Sequence, residues 1–86
     1  MKNQQTIDMK QKSIKMLLGN IGAELSKLRE EKGFPTIKNF AKKNKLPEIQ
    51  YWRIERGKAN LTIKSLDKIL AIHKISFEDF FCNLTA

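Results

Sequence analysis

A chain of 86 residues has room for one domain with a small core, near the lower limit at which a protein folds without disulfides or metal. Its single cysteine, Cys82, excludes an intramolecular disulfide framework, and with His73 as the sole histidine a structural zinc site lacks its set of ligands. The formal net charge of +8 favours a polyanionic partner, while the absence of a signal-type or bilayer-length apolar run makes the cytoplasm the expected compartment and leaves no role for a membrane.

Residues 1 to 13 are polar and lysine-bearing, an arm expected to fray. From Ile14 the apolar residues Ile14, Leu18, Ile21, Leu25 and Leu28 follow at helical steps of four and three. Gly19 and Gly22 oppose a continuous helix, each costing about 1 kcal/mol relative to alanine, and Asn20 is a suitable cap. A first helix is therefore predicted over residues 20 to 32, ended by Gly33-Phe34-Pro35. This divides the chain into a partly helical arm, residues 1 to 18, and a domain, residues 19 to 86.

Thr36 caps a second predicted helix reaching Lys43, with Phe40 and Ala41 turned inward. Asn44 and Lys45 make the turn, where asparagine tolerates the left-handed conformation, and Leu46 plugs the corner. A third helix spans about residues 47 to 56: Pro47 opens it and Gly57 closes it. Tyr51 and Ile54 share its inward face, whereas Glu48, Ile49, Trp52, Arg53 and Arg56 point elsewhere. After a polar loop, Lys58-Ala59-Asn60, Thr62 caps a fourth helix with Leu66, Ile69, Leu70 and His73 on one face. Ser76 caps a fifth, whose first turn holds Glu78 and Asp79 and whose Phe77, Phe80 and Phe81 close the core. With no strand pattern, the predicted class is all-α, five helices around one core.

Three blocks of this sequence, LSKLREEKG at 25 to 33, NFAKKNKLPEIQYWRIERGK at 39 to 58 and TIKSLDKILAIHKISFEDFF at 62 to 81, resemble the phage-repressor and Cro-type helix-turn-helix domain, also called the xenobiotic-response-element family. The resemblance implies a five-helix, lambda-repressor-like bundle in which the second helix crosses the DNA backbone and the third, about residues 47 to 56, enters the major groove. Carried over position by position, base reading falls on Glu48, Ile49, Gln50 and Arg53, and a structural ion pair on Arg29 and Glu55. The chain departs from the family pattern at the start of the second helix, where Thr36-Ile37 replace a serine and glutamine. Lys45 also stands for the turn glycine, and Trp52 for an often small residue.

The function expected from these readings is a sequence-specific regulator of transcription, repressor-like, acting on double-stranded DNA. Phosphate contacts are expected from Lys38, Lys42, Lys43, Arg56, Lys58 and Lys64, a basic cluster within residues 38 to 64, where the only carboxylates are Glu48 and Glu55. A homodimer on a palindromic site is expected, joined through the stripe at residues 14 to 21 or the aromatic end at residues 77 to 81. Ile49 and Trp52 place apolar surface on the same helix and support an alternative, a protein-interaction module such as an antitoxin or an adaptor. Neither a cofactor, a metal nor a catalytic constellation is expected: His73 lies on an inward stripe, and the Glu30-Glu31 and Glu78-Asp79 neighbours diverge around their helices.

Overall fold

Thr36, Thr62 and Ser76 each hold a side-chain oxygen where an amide three residues on has no partner within its helix, and three helices begin there. Their hydroxyls accept from the amides of Asn39 at 3.2 Å, Ser65 at 3.0 Å and Asp79 at 3.1 Å. The computed structural model describes residues 2–85, with side-chain surroundings for residues 13–84. The elements are α1 (Lys2–Glu31), α2 (Ile37–Lys43), α3 (Glu48–Glu55), α4 (Ile63–His73) and α5 (Phe77–Thr85), and no strand occurs among the described residues. The arm of residues 1 to 13, expected to fray, is the first part of α1 from Lys2 onward, and the side chains of residues 1–12 lie outside those described.

The four junctions between helices share one device. After α1, α2, α3 and α4 a residue turns left-handed: Gly33 (φ 99°), Lys45 (φ 57°), Gly57 (φ 69°) and Lys74 (φ 56°). In each case the next amide reaches back five residues, from Phe34 to Arg29 at 3.1 Å, Leu46 to Ala41 at 2.8 Å, Lys58 to Arg53 at 2.9 Å and Ile75 to Leu70 at 3.1 Å, which occupies the orphaned carbonyl of the last turn. Asn44 is not the left-handed residue of the second turn: it sits at φ −102° and donates its side-chain amide to the Phe40 carbonyl at 2.9 Å. Lys45 takes the conformation instead. Two of these positions therefore carry a Cβ that glycine would avoid. Lys74→Gly, far from α3 in sequence, is expected to stabilise the domain by about 0.5–1 kcal/mol, the left-handed cost less the entropy glycine adds to the unfolded chain. Thermal melts would show a rise of a few degrees.

Helix α1 is continuous from Lys2 to Glu31, with Asn20 inside it rather than capping it. The two glycines that argued for a break are contact points. A Cβ on Gly22 would run into the backbone carbonyls of Glu55 and Ile54, and one on Gly57 would stand 2.9 Å from the Cα of Gly19. Hydrogen on these carbons is what lets α1 cross the end of α3 backbone to backbone.

Ile21, Leu25, Phe40, Ala41, Tyr51, Ile54, Leu66, Ile69, Leu70 and Phe80 form the buried core. The inward stripe of α1 begins at Ile21; Ile14, expected to belong to it, is 58 % exposed, because this part of the helix runs past the bundle. Phe40 lies at the centre, edge-on to Phe34 at 5.4 Å and stacked on His73 at 5.4 Å. Burial, assisted by the nearby charge of Lys32, lowers the His73 pKa and favours the neutral ring. Helices α1 and α2 both pack on α3, and α5 packs on α1 and α4. The result is that α3 is supported on two sides.

Candidate nucleic-acid interface

Eight residues make a helix too short to persist alone, so α3 is only as well placed as the contacts behind it. Tyr51 and Ile54 sink into the core. Glu55 meets Arg29 across the α1–α3 contact in a forked pair, Nε donating to Oε2 at 2.9 Å and Nη2 to Oε1 at 3.2 Å. The same guanidinium donates through Nη1 to the Phe34 carbonyl at 2.7 Å and through Nη2 to Ser26 Oγ at 3.3 Å. Side chains of the pair are only 7 % and 4 % exposed. The hydrogen bond that Arg29 donates to Glu55 raises the Arg29 pKa, outweighing the burial that would lower it. Burial also raises the pKa of Tyr51, whose hydroxyl has no hydrogen-bond partner among the described residues.

With successive side chains about 100° apart around a helix, the direction opposite Tyr51, Ile54 and Glu55 falls among Ile49, Arg53 and Arg56. All three are exposed, Ile49 to 76 %. An open groove of about 910 Å³ runs beside this face, lined by Pro47, Glu48, Ile49, Gln50, Arg53, Lys58, Ala59 and Asn60. The four residues assigned to base reading from the sequence therefore share one wall. Gln50 sits on the shoulder of the helix and also borders a smaller hollow of about 180 Å³ between α3 and α4.

Of the six cations assigned to phosphate, Lys58 lines the groove; Lys38, Lys42 and Lys43 are exposed along α2, Lys64 is exposed in the first turn of α4, and Arg56 is exposed at the end of α3. Ala59 and Asn60 were not among the candidates. The left-handed turn at Gly57 reverses the chain and brings them back beside the helix, a consequence that the glycine hinted at but that only the fold completes. Trp52 is 39 % exposed, with the Arg56 guanidinium carbon 5.0 Å from its ring centroid.

Two solved structures share this architecture. Both are crystal structures of single-residue variants of the restriction-modification controller protein C.Esp1396I. One, a tyrosine-to-phenylalanine variant, is 38 % identical over 80 % of this chain and 86 % of its own, with a TM-score of 0.68. The other, a threonine-to-alanine variant, is 37 % identical over 81 % and 92 %, with a TM-score of 0.69. The chain belongs to the restriction-modification controller protein family. No protein-family model and no curated protein matches it. The wider likeness to repressor and Cro-type domains stands at the level of the helix-turn-helix fold; the structures it matches are controller proteins, and they do not extend the likeness to the xenobiotic-response-element family. No helix among the described residues is long and apolar enough to cross a membrane, and none of their histidine, cysteine and carboxylate side chains form a metal-binding group.

Proposed function

We propose that this controller-family chain is a sequence-specific regulator of transcription that binds double-stranded DNA with α3 in the major groove. The observation that carries the reading is the shared wall of Glu48, Ile49, Gln50 and Arg53, facing outward on a helix held rigidly from behind. Arg53 forks onto the O6 and N7 acceptors of guanine, Gln50 pairs with adenine, and Ile49 packs on a thymine methyl. Glu48 accepts from cytosine N4 while favouring the positive end of the α3 dipole. Lys38, Lys42, Lys43, Arg56, Lys58 and Lys64 neutralise phosphates and set the register without reading sequence.

The domain of residues 19 to 86 acts as a homodimer on a palindrome, with recognition helices about 34 Å apart, and the arm of residues 1 to 18 is separable from it. The regulated genes are those of a restriction-modification system, after the role carried in the name of the neighbours. No catalytic step is involved.

Selection of bound duplexes from a random pool at two salt concentrations tests the reading, and a palindromic consensus is the expected product. Arg53→Ala should cost about 1–3 kcal/mol on the selected site and relax one base position, whereas Lys42→Ala should weaken all duplexes alike. Equal losses for Arg53→Ala on selected and mixed DNA would remove that residue from base reading. The exposure of Ile49 favours a second reading, an apolar protein contact. Binding that ignores salt would support it, since phosphate neutralisation weakens steeply as salt rises.

A further inference from the structure

Trp52 has no part in the reading above, and we infer that it is a positioning residue for Arg56, holding that guanidinium as a preformed fork for a DNA phosphate. The inference rests on the proposed DNA binding. Arg56 follows Trp52 by one helical turn, and its amide donates to the Trp52 carbonyl at 3.1 Å, so the two side chains leave the same side of α3. Its guanidinium carbon lies 5.0 Å from the centroid of the indole. Trp52 is 39 % exposed, so part of its ring faces solvent, where the Arg56 guanidinium can lie against it. Arg56 itself is exposed and lies in the outward direction of the helix, in line with Ile49 and Arg53.

Stacking engages the flat face of a guanidinium and leaves its in-plane N–H groups free, so a stacked arginine still donates two parallel hydrogen bonds to a phosphate. An unstacked arginine at the frayed end of a helix must give up several rotamers to do the same. The indole removes part of that loss before DNA arrives. A lysine would not serve, because its ammonium has no plane to orient. The pairing also explains why a large aromatic side chain is tolerated on a face otherwise available to a highly charged ligand: its surface is partly covered by the cation it holds.

Because a phosphate contact is independent of sequence, the probe is a mixed-sequence DNA duplex, followed by fluorescence anisotropy at several salt concentrations with thermal melts run in parallel. Trp52→Ala is expected to lose about two- to fivefold in affinity, and Trp52→Phe, which keeps an aromatic face, to recover most of it, while Trp52→Leu does not. In an Arg56→Gln background Trp52→Ala should lose nothing further. The same loss in both backgrounds, or full recovery by Trp52→Leu, overturns the inference and leaves Trp52 as a direct apolar contact to DNA or to a protein. If Arg56→Gln weakens binding and Trp52→Ala does not, the pairing fails while DNA binding stands. Should the unaltered chain fail to bind any duplex, the proposed function and this inference fall together.

Discussion

Arg29→Met is expected to cost the domain about 3–5 kcal/mol, because it strands a carboxylate that pairs with no other cation among the described residues. Glu55 is 4 % exposed at its side chain and is held by two of the arginine's nitrogens. Removing the guanidinium also takes the donor from the Phe34 carbonyl, at the corner that leads into α2. A domain of this size has a total stability of only about 4–13 kcal/mol, so urea denaturation should show a loss of about a quarter of that stability or more, with the midpoint moved to clearly lower urea. The double replacement Arg29→Met with Glu55→Leu should be much milder, since an apolar pair of similar volume leaves no charge to desolvate. A single variant that melts with the unaltered protein would mean that water reaches Glu55, contrary to its burial. The coupling also bears on function, for Glu55 belongs to α3 and a loosened pair would tilt the face that carries Arg53.

The second large effect concerns the glycines of α1, where two chemically identical substitutions should have opposite signs. Alanine is favoured over glycine inside a helix by about 1 kcal/mol. At Gly19 a Cβ would meet nothing within 4 Å, so Gly19→Ala should stabilise by up to that amount. At Gly22 the Cβ would meet backbone atoms of Glu55 and Ile54, the latter's carbonyl oxygen at 2.7 Å, and backbone cannot swing aside as a flexible side chain would. α1 and α3 must then move apart, loosening Ile21, Leu25 and the Arg29–Glu55 pair together. Overpacking of this kind costs about 1–3 kcal/mol, enough to reverse the propensity gain. Paired thermal melts of the two variants, one rising and one falling, are the expected outcome; a stabilised Gly22→Ala would show that the helices do not cross in contact there.

These residues also mark the limit of what local pattern can convey. A hydroxyl at Thr36, Thr62 or Ser76 acts on an amide three residues away, so the starts of α2, α4 and α5 were readable from neighbours alone. The inward faces of α2, α3 and α4 were readable too, because burial repeats with the turn of the helix. Asn44 misled because a general preference for the left-handed region says nothing about which of two adjacent residues will close the turn; the bond from the Leu46 amide to the Ala41 carbonyl selects Lys45. The continuity of α1 misled for a different reason. Glycine weakens an isolated helix, and that weakness is all its neighbours can report, whereas its use at Gly22 depends on a carbonyl more than thirty positions away.

The candidate site divides along the same line. By itself the sequence determined the class of the fold, the short third helix to within one residue at each end (Glu48–Glu55, with Pro47 and Arg56 as its caps), the residues that turn inward from it and the basic character of its surroundings, since each depends on spacing, capping or charge within a few residues. Only the tertiary structure decided that α1 runs unbroken past the bundle, that Asn60 returns to the wall of Glu48, Ile49, Gln50 and Arg53, and that the Arg56 guanidinium lies over the Trp52 ring. Those facts depend on which surfaces approach within a few ångströms, and close approach is settled by the packing of the whole core rather than by any single stretch of chain.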